Sequence, residues 1–267
     1  MPPSQFDARL VENRTLRGGY FTLELESLQS PSPLHGVLPG QFVMLRGQWG
    51  RELLNPRAFS VLHADGDRFS VLLKVFGRGT ARMHEMRPGE TMTVTGPLGR
   101  AFPPPSMERT QLLVAGGVGL PPLHLHARLA AESKAGRVEL LYGGRNADDL
   151  VLLPDFERWN IPMHLATEDG SLGTRGFVTV ALQARLDLAR DRNEPVEILS
   201  CGPTPMLRAV RELGLARDVP TFLCLEEEMA CGFGVCLGCA VPVYGEKPYR
   251  YCCTDGPVFD AKEVRWS

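Results

Sequence analysis

Six of the seven cysteines in the chain fall between Cys224 and Asp260, in the run CLEEEMACGFGVCLGCAVPVYGEKPYRYCCTDGPVFD. Within it Cys231, Cys236 and Cys239 are spaced by four and then two residues, and the adjacent pair Cys252 and Cys253 follows after a gap of 12 or 13. A triple with one distant partner is the ligand spacing of a plant-type [2Fe-2S] cluster. Such a cluster needs four thiolates on one small inorganic core, three of them from a loop that wraps it. Gly232, Gly234 and Gly238 alternate with the cysteines, so the backbone can take positive φ values and turn N-H groups towards sulfide. The alternatives are disulfides and tetrahedral zinc. An odd cysteine count, and an N-terminal MPPSQFDARLVENR without the apolar core of a secretory signal, argue against disulfides. Zinc sites pair two short Cys knuckles, whereas here a triple faces an adjacent pair.

A length of 267 residues suits two domains and a small appendage. The net charge of −2 supplies no basic field for nucleic acid, so no nucleic-acid partner is expected. No run of 18 apolar residues occurs, so no membrane span is expected either. The reading is a cytoplasmic protein, in a compartment where thiols stay reduced.

From residue 6 to about 100, short strands alternate with Gly and Pro turns. Phe21, Leu23 and Leu25 alternate with Thr22, Glu24 and Glu26, the period of a half-buried strand. Further strands are expected at 42–46, 69–75 and 91–95, and together they predict an antiparallel β-barrel. Two places in it combine chemical groups. Asn55-Pro56-Arg57-Ala58-Phe59-Ser60 puts a cation, a ring and a hydroxyl on a strand entered through proline, where a plain strand edge is the alternative. Gly77-Arg78-Gly79-Thr80 lies between a strand and a short helix, where N-H groups can cradle phosphate, although a tight turn is the alternative.

From about residue 110 the rhythm becomes strand, turn, helix. LLVA (112–115) runs into Gly116-Gly117-Val118-Gly119-Leu120-Pro121-Pro122 and a helix ending near Ser133. Strands at 138–142, 163–167, 196–200 and 221–225 continue an α/β pattern with a parallel sheet. Ligands of such sheets lie at the carboxyl ends of strands, where the Gly116 loop, Tyr142-Gly143-Gly144-Arg145 and Cys201-Gly202-Pro203 fall. His124 and His126 belong to no metal-ligand constellation and are expected as packed or surface residues. Cys201 is either a small core residue or a neighbour of the ligand. The run Glu226-Glu227-Glu228 reads as a solvated face, with potential tuning or partner docking as the alternative.

Arg57-x-Phe59-Ser60, Gly77-x-Gly79-Thr80, Gly96-Pro97-Leu98-Gly99, Gly116-Gly117-Val118-Gly119 and Cys201-Gly202-Pro203 together resemble the ferredoxin-NADP reductase superfamily. Leu225-Glu226, Met229, Cys231-Gly232-x-Gly234-x-Cys236 and Cys253-Thr254-Asp255-Gly256-Pro257-Val258-Phe259 resemble, within it, the electron-transfer subunits of dihydroorotate dehydrogenase B. The resemblance implies an FAD-binding barrel at 1–105, an NAD-binding α/β domain at 106–223 and a [2Fe-2S] segment at 224–267. It implies that Arg57, Ala58, Phe59 and Ser60 contact FAD, that Leu72, Leu73 and Lys74 line the flavin through their backbone, and that Gly79 and Thr80 hold its pyrophosphate. It places Gly116, Gly117 and Gly119 on NAD, with Cys201 and Gly202 near the nicotinamide. It selects Cys253 over Cys252 as the fourth ligand beside Cys231, Cys236 and Cys239. Ala58 with Phe59, and the doubled Pro121-Pro122, depart from its usual pattern.

The implied activity is that of an oxidoreductase subunit with no chemistry on dihydroorotate itself. It would pass electrons from the FMN of a dihydroorotate dehydrogenase catalytic subunit through [2Fe-2S] and FAD to NAD, in a heterotetramer of two of each subunit. A related NAD(P)H-ferredoxin reductase or hydrogenase-associated diaphorase subunit, and an iron-sulfur sensor with a vestigial flavin site, are the other readings. NAD and NADP stay open, because the cation Arg145 is followed by Asp148 and Asp149.

Overall fold

The computed structural model describes residues 3–50, 53–134 and 136–266, so residues 1, 2 and 267 at the ends of the expected division lie outside it. Six antiparallel strands close a barrel in the order β1-β2-β5-β4-β3-β6: β1 (Ser4–Thr15), β2 (Tyr20–Ser27), β3 (Phe42–Gly47), β4 (Arg57–Asp65), β5 (Arg68–Lys74) and β6 (Thr91–Leu98). A short helix, α1 (Arg78–His84), separates the last two. Phe21, Leu23 and Leu25 fill the barrel with Val43, Leu45, Val71 and Val94, as the period of two requires. Thr22 is buried as well, against expectation. It pairs with Leu72 on β5 and follows Tyr20, and both of those pack into the core of the next domain.

The second domain is a mainly parallel sheet in the order β10-β9-β8-β7-β11-β12-β15. Its elements run β7 (Thr110–Gly116), α2 (Leu120–Ser133), β8 (Arg137–Gly144), α3 (Leu153–Arg158), β9 (Met163–Thr167), β10 (Thr174–Arg175), α4 (Val178–Asp191), β11 (Val196–Cys201), α5 (Thr204–Ala216) and β12 (Thr221–Cys224). β7 is buried at every residue, as a central parallel strand should be. Helix α2 tolerates Pro121 and Pro122 because both sit in its first turn, where N-H groups have no helical partner.

Several strands go beyond the expectation, among them the two-residue β10. β1 is the longest in the barrel. The final strand, β15 (Val258–Asp260), comes from the cysteine segment and pairs antiparallel with β12, through Phe222 with Asp260 and Cys224 with Val258. Between them a small ribbon, β13 (Ala240–Pro242) with β14 (Tyr249–Tyr251), carries the remainder of that segment. One buried core joins all three parts: Phe42, Met44 and Leu98 of the barrel, Val114, Ile198 and Leu223 of the sheet, and Cys239, Val241, Cys252 and Phe259 of the cysteine segment. The fold is thus an antiparallel barrel followed by an α/β parallel-sheet domain and a small cysteine-loop segment.

Candidate functional site

The barrel, the sheet and the cysteine segment converge on a cavity of about 720 Å³. β4 contributes Arg57, Ala58, Phe59 and Ser60, and β5 contributes Leu72, Leu73 and Lys74, so seven of the residues expected at a flavin line one space. The nucleotide domain adds Val118 and Pro121, and Cys224 to Met229 close the far side. A volume of this order is that of a ligand pocket. Glu226, Glu227 and Glu228 are exposed, as a charge run should be, but what they face is this cavity. The Glu226 side chain is open to the cavity but surrounded by protein on its other sides, and this loss of solvation pushes its carboxyl pKa up.

Arg57 donates to the Asn55 carbonyl at 3.0 Å, and its guanidinium lies against Gly79 so closely that a Cβ there would collide with it. Thr80 Oγ1 accepts from the backbone N-H groups of Phe76 at 2.9 Å and Gly77 at 3.1 Å, which fixes the turn into α1. A cation held over a side-chain-free turn, with a hydroxyl beside it, fits the anionic part of a dinucleotide cofactor.

At the carboxyl ends of β7 and β11 the two expected glycine turns pack on each other. A Cβ on Gly116 would stand 2.6 Å from Met206 Sδ, and one on Gly202, where φ is +158°, would stand 3.0 Å from Gly116 N. Gly119 meets the Cys201 carbonyl with no room for a side chain. Gly117 takes a φ of +52° beside Tyr20. The Cys201 backbone therefore borders the nucleotide loop. Its thiol does not line the cavity: it faces the free thiol of Cys224, its neighbour across the ladder, and a hydrogen bond to that thiol together with burial holds its pKa well above the usual thiol value.

Below the cavity the cysteine loop rests on the barrel. Gly232, at a φ of +82°, presses on β3, where a Cβ would stand 2.7 Å from Met44 Cγ. Met44 lies opposite Ala58 in the β3 and β4 ladder, so a single side chain separates the loop from the cavity wall. The thiols fall in pairs. Cys236 N donates to Cys231 Sγ at 3.4 Å, and Cys239 Sγ lies 3.2 Å from Cys253 Sγ. Burial opposes ionisation of Cys231, yet the N-H groups of Cys236, Phe233 and Val235 bring its pKa down to about 6. Cys253 is pushed up to about 12 by burial and by Cys239. Cys252 points away, bonded to the Leu225 carbonyl at 3.2 Å, and burial raises its pKa strongly. Among the described residues no three His, Cys, Asp or Glu side chains form a cage for one metal ion. Two thiol pairs ringed by N-H donors suit the two irons of a [2Fe-2S] cluster.

Several relationships at the site carry no signal of their own in the sequence. Met44 reads there as ordinary strand core. Tyr20 and Asp149 meet across the two domains: Lys74 Nζ lies 2.5 Å from Asp149 Oδ1 and Tyr20 OH lies 3.4 Å from it. Arg145 gives its backbone N-H (3.1 Å) and Nε (3.2 Å) to Asp149 Oδ2. Burial works against the charge on Asp149, but Lys74 and Arg145 keep its pKa below the usual carboxyl value. His124 and His126 are buried packing residues, bonded to Asp155 at 3.0 Å and Gln111 at 2.6 Å.

A family model described as the iron-sulfur cluster binding domain of dihydroorotate dehydrogenase B matches residues 226–265, and an oxidoreductase NAD-binding domain matches 113–212. A dihydroorotate dehydrogenase B (NAD(+)) electron transfer subunit from Caldanaerobacter subterraneus subsp. tengcongensis is 35% identical over 259 residues, covering 96% of this chain and 97% of the relative. The chain belongs to the family of dihydroorotate dehydrogenase B electron-transfer subunits. A family member from Listeria monocytogenes is 37% identical over 239 residues, 86% of this chain and 88% of its own. Among solved structures, one of an NADH-dependent reduced ferredoxin-NADP oxidoreductase matches with a TM-score of 0.82 and 27% identity, covering 97% of this chain and 90% of that one. No helix among the described residues is long and apolar enough to cross a membrane.

Proposed function

We infer that the chain is the electron-transfer subunit of an NAD-dependent dihydroorotate dehydrogenase, carrying electrons from the FMN of a catalytic subunit through [2Fe-2S] and FAD to NAD. One observation carries this reading: the stretch that leads into the cysteine loop, the two expected flavin strands and the nucleotide domain meet at a single cavity, with the loop itself seated against the barrel just below. When bound, the cluster moves single electrons, FAD joins one-electron to two-electron traffic, and NAD takes a hydride.

The chain's own residues divide the work. Cys231, Cys236, Cys239 and Cys253 hold the cluster, and Gly232 seats their loop on Met44. Arg57 bonds the anionic part of FAD across Gly79 and Thr80, Ser60 borders the ring, and Ala58, Phe59 and Leu72 to Lys74 form its bed. Gly116, Gly117 and Gly119 bring backbone to the NAD pyrophosphate, and Cys201 with Gly202 backs the nicotinamide end. The expected division at 105 and 223 assigns one cofactor to each part. The exposed Phe233, Val235 and Leu237 surround the cluster loop and form the docking face for the catalytic subunit, in a cytoplasmic heterotetramer of two of each.

Co-expression with an FMN-containing dihydroorotate dehydrogenase tests this. The two should co-elute on gel filtration, and dihydroorotate should reduce NAD only when both are present. A catalytic partner that reduces NAD equally well alone would overturn the assignment. The close match to a ferredoxin-NADP oxidoreductase favours a second reading, a diaphorase subunit serving another donor, which NADH-dependent reduction of ferredoxin without dihydroorotate activity would support.

A further inference from the structure

Lys74 ends the strand that lines the cavity, but its ammonium does not point into it. It crosses to the other domain and meets Asp149, which is 5% exposed, while standing 4.4 Å above the ring of Tyr20. Tyr20 OH gives the same carboxylate oxygen a second barrel contact. On the nucleotide side Asp149 is held at three points. Its other carboxylate oxygen takes the two Arg145 bonds, and its carbonyl accepts from Tyr142 OH at 2.9 Å. The same Tyr142 hydroxyl lies 3.2 Å from the carbonyl of Gly117 in the glycine loop. Nearby, Gly18 packs on the Asp148 backbone, where a Cβ would stand 3.0 Å from its carbonyl carbon. A continuous set of bonds thus runs from the flavin-lining strand through Asp149 and Tyr142 to the loop assigned to NAD.

We propose that Asp149 is a positioning residue that latches the nucleotide domain to the flavin-lining strand through Lys74 and Tyr20, setting the gap across which hydride passes. The proposal rests on the functional reading above. Its physical basis is that reacting atoms must approach to about 3 to 3.5 Å, and a misplacement of about 1 Å can cost on the order of a hundredfold in rate. Leu72 of β5 and Tyr20 of β2 pack apolar surface against Leu120 and Cys201 of the nucleotide domain, and such packing has no preferred direction along the interface. The ion pair adds a directional contact, and so fixes where the glycine loop sits over β5. It also takes up the Lys74 charge, which would otherwise be free to face the flavin edge.

The test uses the whole chain with FAD and cluster loaded, as wild type, Asp149→Asn, Lys74→Met and the double variant. Asp149→Asn keeps the shape and the Arg145 contacts but removes the charge that holds Lys74. Asp149→Asn should keep its flavin and iron content, and its KM for NADH should stay within about threefold. Flavin bleaching by NADH in stopped flow should slow by at least about tenfold. The double variant should be no slower than the slower single, because both remove one interaction. Independently of activity, Lys74 should resist acetylation by acetic anhydride in the wild type and react at least about tenfold faster in Asp149→Asn. Unchanged bleaching, additive losses in the double variant, loss of FAD from Asp149→Asn, or equal acetylation would each overturn the latch. If NADH fails to bleach the wild type, the functional reading fails instead, and the acetylation contrast still decides whether the latch exists.

Discussion

Cys239 Sγ lies 3.2 Å from Cys253 Sγ, while the adjacent Cys252 gives its thiol to the Leu225 carbonyl in the core. Two consecutive cysteines thus face opposite ways. Replacing Cys253 with Ser should abolish or greatly weaken the cluster's visible absorbance and paramagnetic signal. Cys252→Ser should leave both intact, at a modest cost in stability from burying a more polar hydroxyl. Reversed results would assign the fourth ligand to Cys252.

Arg57 and Gly79 should behave as one unit. A charge-assisted hydrogen bond contributes roughly 1.5 to 3 kcal/mol, so Arg57→Ala should weaken FAD retention at least about tenfold. Gly79→Ala adds a Cβ that collides with the guanidinium and should produce a similar loss. The double variant should add little to either single. Equilibrium dialysis of FAD measures all three, and full retention in Gly79→Ala would detach Arg57 from the cofactor.

The docking face can be separated from the redox site. Val235 is 72% exposed between two ligand cysteines, so Val235→Asp should spare the fold and cluster. Association with the catalytic subunit should weaken at least about tenfold, with NADH oxidation by an artificial dye unchanged. Undiminished association, measured by gel filtration or calorimetry, would place the interface elsewhere.

Away from the cavity, Glu139 predicts an acid sensitivity. Burial opposes its charge, but Arg185 bonds both of its oxygens at 2.7 and 2.8 Å and His164 a third way at 3.0 Å, holding its pKa at about 2 against 4.5 for an ordinary glutamate. A depressed folded-state pKa stabilises fully above the unfolded value, and that contribution is lost as pH falls from 4.5 towards 2. For a half-buried group it is on the order of 2 kcal/mol. Urea midpoints of wild type and Glu139→Gln should differ most near about pH 6, draw together below about pH 4.5 and converge only as pH falls to about 2. A constant difference would mean that the charge of Glu139 is not what stabilises the fold.

The readable parts of this architecture are those in which one residue type has one physical use. Four thiolates on a small core demand the spacing seen at Cys231, Cys236 and Cys239. The alternation from Phe21 to Leu25 can only be a strand with one face inside a barrel. The glycines of the Gly116 loop announce a close approach, which the Cys201 carbonyl provides. Other features were hidden because their meaning depends on a distant segment. Thr22 is polar in pattern yet buried, since a second domain covers the outside of β2. Asp149 looked like one of two acids bearing on cofactor choice until Lys74, 75 positions earlier, met it across the domains. Met44 gave no hint that its outer neighbour would be the cysteine loop. Nor does a triplet of glutamates reveal which solvent-filled space it borders.

The last strand of the nucleotide sheet is β15, made of residues that follow every cysteine of the cluster loop in the chain. During synthesis the ribosome therefore releases the nucleotide-domain strands β7 to β12 with one edge open. That edge is covered only after the metal-binding segment has emerged and folded back across Cys224. Completion of the sheet and enclosure of the metal loop become one maturation event, so an apoprotein starved of iron should show its damage at β12, outside the ligand loop itself, as faster proteolysis of the nucleotide domain.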